Sequence, residues 1–181
     1  MSIFTNPPSR SVEQAEAYVT ALLELLEGRD PVDVLRSTPG TLRDLTRDLD
    51  DESLSRPEAP GKWSIRQVLR HLADGEIVFA YRVRMVLGQD RPGLTGYDQD
   101  GWAERLGYEA ADVEEALDEI TLLRRGTLRL VENASPEDME RVGLHSERGE
   151  ESLGLLVELA AGHDLVHTRQ IRRIRGALTG S

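Results

Sequence analysis

Cysteine is absent from the 181-residue chain. Disulfides, thiolate metal ligands, cysteine nucleophiles and thiol redox switching are excluded with it. Any metal must be held by His, Asp or Glu, and any thiol chemistry must borrow its sulfur from a cosubstrate. Aromatic residues make up only 4% of the sequence, and the period-two alternation that marks strands is missing. No apolar run approaches the roughly 18 residues of a membrane span, and Met1-Ser2-Ile3-Phe4-Thr5-Asn6-Pro7-Pro8 lacks the basic-then-apolar layout of a signal peptide. Positive charge is also scarce. The 22 Lys and Arg, of which Lys62 is the one lysine, stand against 33 Asp and Glu, for a net charge of -11. That field has the wrong sign for binding nucleic acid or an anionic membrane surface. The expectation is a soluble, cytoplasmic protein whose partner is a small molecule.

What is present is Leu, Val, Ala and Ile recurring at three and four, the pattern of amphipathic helices. Ser11-Val12-Glu13-Gln14 has the form of a capping box ahead of Ala15, Val19, Leu22, Leu23 and Leu26, so a first helix is expected to reach about Gly28. Pro31 and Pro39 each open a further short segment, giving a broken first arm. Ser64-Ile65-Arg66-Gln67 is a second capping box and starts a long helix to about Gly88. Residues 89–110 are weakly periodic, and a connection that long in a compact domain serves as a crossover or a lid. Helices over about 111–133 and 152–178 complete an all-α four-helix bundle with extra short helices and a long connection between helices 2 and 3. The domain is taken as 11–178, with an arm at 1–10 and a tail at 179–181.

Of the four histidines, two lie in Gly162-His163-Asp164-Leu165-Val166-His167. An i, i+4 pair on a helix puts both imidazoles on one face, as two cis ligands of one ion require. There is no H-E-x-x-H glutamate, so the zinc-protease pattern is not met. The alternative is two unrelated histidines on a helix face. His71, among Val68, Leu69 and Leu72, borders the core, and the helical rise permits it to join the pair without requiring it.

Two strings carry a family resemblance. Gly61-Lys62-Trp63-Ser64-Ile65-Arg66-Gln67-Val68-Leu69-Arg70-His71-Leu72-Ala73-Asp74-Gly75-Glu76 resembles the second-helix motif of the DinB-like (YfiT-like) superfamily, and Ala161 to Ile171 is similar to its closing motif. The resemblance covers roughly residues 30–178. It implies up-down-down-up topology and a divalent metal, nickel or zinc, on His71, His163 and His167. It also implies thiol-dependent S-transfer as the reading to test, with a low-molecular-weight thiol as cosubstrate. Three neutral imidazoles leave the ion open positions, so water activated there for hydrolysis is the alternative. A non-catalytic metal-binding or stress-response bundle, as a possible homodimer, is a third.

Other side chains have two readings each. Asp74 and Asp164 could orient a ligand imidazole or be exposed helix carboxylates. Glu76 matches the family motif but lies five residues past His71, on a different face. His145 could meet substrate or shuttle a proton, or sit exposed in its loop. Trp63 is expected to pack against the helix start, Tyr97 and Trp102 to pack or line the cleft, and Arg82 and Arg169 to face water or hold an anion.

Overall fold

The structure, a computed structural model, describes residues 12–179. The expected arm at 1–10, the capping Ser11 and the chain beyond Thr179 lie outside the described residues. Helix α1 (Val12–Glu24) leads through a turn closed by Gly28, at φ +77°, into α2 (Pro31–Thr46). The short α3 (Asp51–Ser55) precedes α4 (Ile65–Gly88). A crossover holding β1 (Gly93–Leu94), α5 (Gln99–Arg105) and a 3-10 turn reaches α6 (Val113–Glu132). Then come α7 (Pro136–Met139), the hairpin β2 (Val142–His145) and β3 (Gly149–Ser152), and α8 (Leu153–Thr179).

Helix starts follow their local chemistry. Asp30 accepts from the Val32 amide with Pro31 at the first helical position, Asp112 accepts from Glu115 N, and Ser64 with Gln67 forms the reciprocal capping box that the sequence predicts.

Helices α2, α4, α6 and α8 form the bundle, and their contacts set its directions. Along α4 and α6, Arg66 reaches Ala111 O, Arg70 pairs with Glu119 and Glu76 with Arg124, so numbers rise together and the two run parallel. Arg43 pairs with Glu114 and Asp118 while Arg36 pairs with Glu132, so α2 opposes α6. Helix α8 opposes α4, since Ile65 and Val68 share a cluster with Ile171 and Ile174, and Phe79 and Val83 share one with Leu156 and Val157. The topology is up-down-down-up. A parallel α4–α6 pair requires a long crossover, which accounts for the segment at 89–110.

One expectation is corrected. Pro39 does not start a new segment but lies inside α2. Proline in a helix interior frees the carbonyl four residues back, here Leu35 O, and Arg124 Nη1 of α6 donates to it at 2.8 Å. A partner from another helix thus satisfies the group that would otherwise break this one. The all-α bundle stands as expected and carries one small sheet in addition, in which β1 pairs parallel with β2 and β2 antiparallel with β3. These strands of two to four residues are too short to show a period. They tie the crossover to the bundle, and Leu144 N donates to Pro92 O at 2.8 Å.

The core divides into two apolar clusters, one around Val83, Val86, Leu153 and Leu156 and the other around Ile65, Leu69, Leu117 and Ile171. Between them His71, Asp74, Glu76, Arg124, Asp164 and His167 are all buried. Helix α1 closes on α8 at Gly162, where an added Cβ would lie 2.6 Å from Leu22 O. Gly→Ala inside a helix ordinarily stabilises by roughly 0.5–1 kcal/mol. Here backbone would have to move, so Gly162→Ala is expected to destabilise by about 1–3 kcal/mol. Urea denaturation checks the sign.

Candidate metal centre and its cavity

His71 on α4 and His163 and His167 on α8 converge. The antiparallel packing of α4 on α8 brings one histidine opposite a pair one turn apart. His71 Nε2 lies 3.0 Å from His163 Nε2, ring centroids are 4.5–5.0 Å apart, and one nitrogen from each ring lies within 4.8 Å of the others. His167 Nδ1 is 2.9 Å from Gln170 Oε1, so it donates there and leaves the Nε2 lone pair free. His71 Nδ1 is buried with no hydrogen-bond partner, and the Trp63 ring lies 5.0 Å from the His71 ring.

A divalent ion fits this donor set. Nitrogens sharing a tetrahedral ion at about 2.1 Å stand roughly 3.4 Å apart, and the observed separations bracket that value, so small ring rotations suffice. All three rings are held neutral, as ligation needs. Burial, reinforced by His167 and His163, holds His71 well below the usual imidazole range. Burial and then Arg124 lower His163 to about 4, and burial and then His163 lower His167 to about 3.

Beside the histidines Arg124 forms the hub of a buried charge network. Its Nε donates to Glu76 Oε2 at 2.9 Å and its Nη1 to Asp164 Oδ2 at 2.7 Å, in addition to Leu35 O. Burial works to lower the Arg124 pKa, but the Asp164 and Glu76 carboxylates hold it above the ordinary value. Glu76 is pushed up to about 7 by burial, against the pull of Arg124. Its second oxygen, Oε1, is buried with no hydrogen-bond partner.

Glu76 and His163 line one cavity of about 130 Å³, with walls that include Leu72, Phe79 and Leu156. Gly75 lines it next to His163, its Cβ position lying at an ordinary contact distance of 3.7 Å from His163 Cε1.

The remaining candidates divide. His145, Tyr97 and Arg82 line the cavity. Asp164 is buried and lines it too, but its partner is Arg124 rather than an imidazole. Asp74 is also buried rather than exposed, accepting from Arg70 at 2.7 Å and from Tyr108 OH at 2.6 Å. Gln170, not either aspartate, therefore orients one of the three rings, that of His167. His145 is buried, so the exposed-loop alternative is corrected. Trp102 stacks on Tyr97 at 4.5 Å, and Arg169 pairs with Glu27 at the surface.

The sequence reading set Glu76 aside and missed Arg124, Arg148 and Gln170. The first two carry a visible signal. Glu76 interrupts the buried stripe Leu72, Phe79, Val83, and Arg124 interrupts Leu117, Ile120, Leu128, Val131. A charge at a core position of a helix demands a partner across the bundle. On α6 the backbone turns Arg124 into the core, while Leu123 beside it is only half-buried.

An up-down-down-up bundle with a three-histidine group, one member of which lines a cavity, defines the class, and sequence comparison agrees with it. The DinB superfamily profile matches residues 35–171, and the chain belongs to that family. A protein of Oceanobacillus iheyensis named "putative metal-dependent hydrolase" is 31% identical over 140 residues, 77% of this chain and 81% of that one. A protein of Bacillus cereus with the same name is 29% identical over 144 residues, 80% of this chain and 83% of its own. Among solved structures, YfiT from Bacillus subtilis, described as "a probable metal-dependent hydrolase with an unusual four-helix bundle topology", superposes with a TM-score of 0.77 at 23% identity. That match covers 97% of this chain and 93% of YfiT.

Proposed function

We propose that the protein is a metal-dependent hydrolase of a small molecule, with His71, His163 and His167 holding the ion and Glu76 handling the proton. The observation that carries the reading is the unpartnered Glu76 Oε1 in the cavity that His163 also lines. A divalent ion on three neutral imidazoles supplies a Lewis acid with open positions that lowers the pKa of water or thiol. Imidazole ligation suits zinc and nickel. Glu76, near pH 7 in its pKa, is matched to accept a proton from attacking water and return it to a leaving group. Arg124 fixes its other oxygen, so Oε1 is the atom left to move the proton.

The second reading is S-transfer with a low-molecular-weight thiol. Walls such as Leu72, Phe79 and Leu156 favour it in one respect, since partial desolvation would make a thiolate that the metal keeps ionised more reactive.

Protein prepared without a histidine tag or nickel column is expected to contain about one zinc or nickel per chain, and His163→Ala to lose at least 10-fold of it. Elemental analysis reads this, and full retention removes His163 from the centre. The metal-loaded protein is then expected to cleave members of an ester and amide panel without thiol. Turnover of electrophiles such as monochlorobimane only with glutathione, bacillithiol or mycothiol overturns hydrolysis in favour of transfer.

A further inference from the structure

One end of the cavity is cationic in a protein of net charge -11. Arg82 and Arg148 both line it. Arg148 is matched by buried Glu151, through its Nε and Nη2. Arg82 donates to Thr95 O at 2.8 Å and approaches His145 Nε2 at 3.2 Å, its Nε is buried with no partner, and no carboxylate pairs with it among the described residues. Glu147 lies beyond the cavity's lining, with its carboxylate against Gly96. The Glu151 and Glu147 carboxylates act on Arg82 without a direct ion pair, and burial still holds its pKa below the ordinary value, so a guanidinium largely removed from water gains from an anion that joins it.

His145 points to the same need independently. Both of its ring nitrogens face donors, with Arg82 Nη2 at Nε2 and the Glu147 amide 3.1 Å from Nδ1. A neutral imidazole has one N–H and one lone pair, and burial with the two arginines keeps this ring neutral. One of its two contacts therefore sets N–H against N–H. An oxyanion seated between Arg82 and His145 removes the conflict by accepting from both.

We propose that Arg82, with His145 and Arg148, is the binding subsite for a carboxylate group of the substrate, which is therefore a small carboxylic acid derivative. The inference rests on the hydrolase reading for what happens at the other end. One guanidinium without a direct ion pair favours a monoanion, and its planar fork suits a carboxylate. Gly75 adjoins His163, and Arg82 lies seven residues on along α4, so about 10 Å separates the carboxylate from the reacting bond. Apolar side chains such as Phe79 and Leu72 flank the span between them.

Calorimetry with zinc-loaded protein tests this with hexanoate, its neutral analogue hexanamide, and inorganic phosphate. Hexanoate is expected to bind at least 10-fold more tightly than hexanamide. Arg82→Gln is expected to abolish that preference without changing zinc content, and Arg82→Lys to retain a preference for hexanoate. Arg82→Gln is expected to remain folded, with a melting temperature close to that of the parent, and hexanoate should raise the melting temperature of the parent but not of this variant. In His163→Ala the preference is expected to persist, which separates this subsite from the metal centre whether or not hydrolysis is found. Equal binding of hexanoate and hexanamide overturns the proposal. So does a preference that survives Arg82→Gln but vanishes in His163→Ala, which would put the carboxylate on the ion. Phosphate binding more tightly than hexanoate in an Arg82-dependent way would reassign the subsite to phosphate groups.

Discussion

Arg124→Met is expected to cost about 3–5 kcal/mol of folding stability, because it leaves buried charge without its counterion. The side chain it removes joins three other helices. It compensates Glu76 of α4 and Asp164 of α8 and satisfies the Leu35 carbonyl that Pro39 frees in α2. Methionine keeps the volume but none of the donors. Urea denaturation at pH 7 measures the loss, and a change below about 1 kcal/mol would show that the network contributes little. The pH dependence has a definite sign. Burial has already raised Glu76 from 4.5 to about 7, so its linkage contribution is full below pH 4.5 and is lost as pH rises through 7. Without Arg124 the pKa rises further, and at pH 5 Glu76 can stay neutral in both proteins. The deficit of the variant should therefore be smaller at pH 5 than at pH 7. Adding Pro39→Ala gives Leu35 O a helical N–H again and is expected to return about 0.5–1.5 kcal/mol.

Glu76→Gln is expected to lower kcat by about 10²–10⁴-fold, the usual range for losing a positioned proton carrier. The amide keeps the shape and can still accept from Arg124, but it cannot take a proton. In the parent, activity should rise with pH through about 7 as Glu76 ionises, and the variant should lack that limb. Stability separates this effect from damage to the fold. Replacing a carboxylate whose ionisation burial opposes should leave the melting temperature at pH 8 unchanged or raised. A variant with full activity, or with the same pH limb, would assign the proton to another group, and the metal content measured alongside would show whether the centre survived.

The local parts of both fold and centre were legible in the chain. Ser64 and Gln67 cap α4 as read, since a capping box is complete within four residues. His163 and His167 share a face because helical geometry puts i and i+4 together. His71 was a candidate from its apolar neighbours, and the family resemblance supplied its partnership with the pair. The small sheet was not legible, because its strands are too short for periodicity and β1 pairs with β2 about 50 residues away.

By itself the sequence determined the absence of any thiolate ligand, from its composition, and the helical period, the caps and the paired imidazoles, which depend on neighbours within a turn or so along the chain. Tertiary structure decided the rest. Pro39 looked like a helix start until a guanidinium from α6 met the carbonyl it frees. Glu76 looked misplaced relative to His71, but the cavity lies between helices and is lined from several of them at once. Asp164 adjoins His163 in sequence yet serves Arg124 in space. Partners for buried charges come from other helices, and only packing chooses them, because the cost of leaving such a charge alone appears only once water has been excluded.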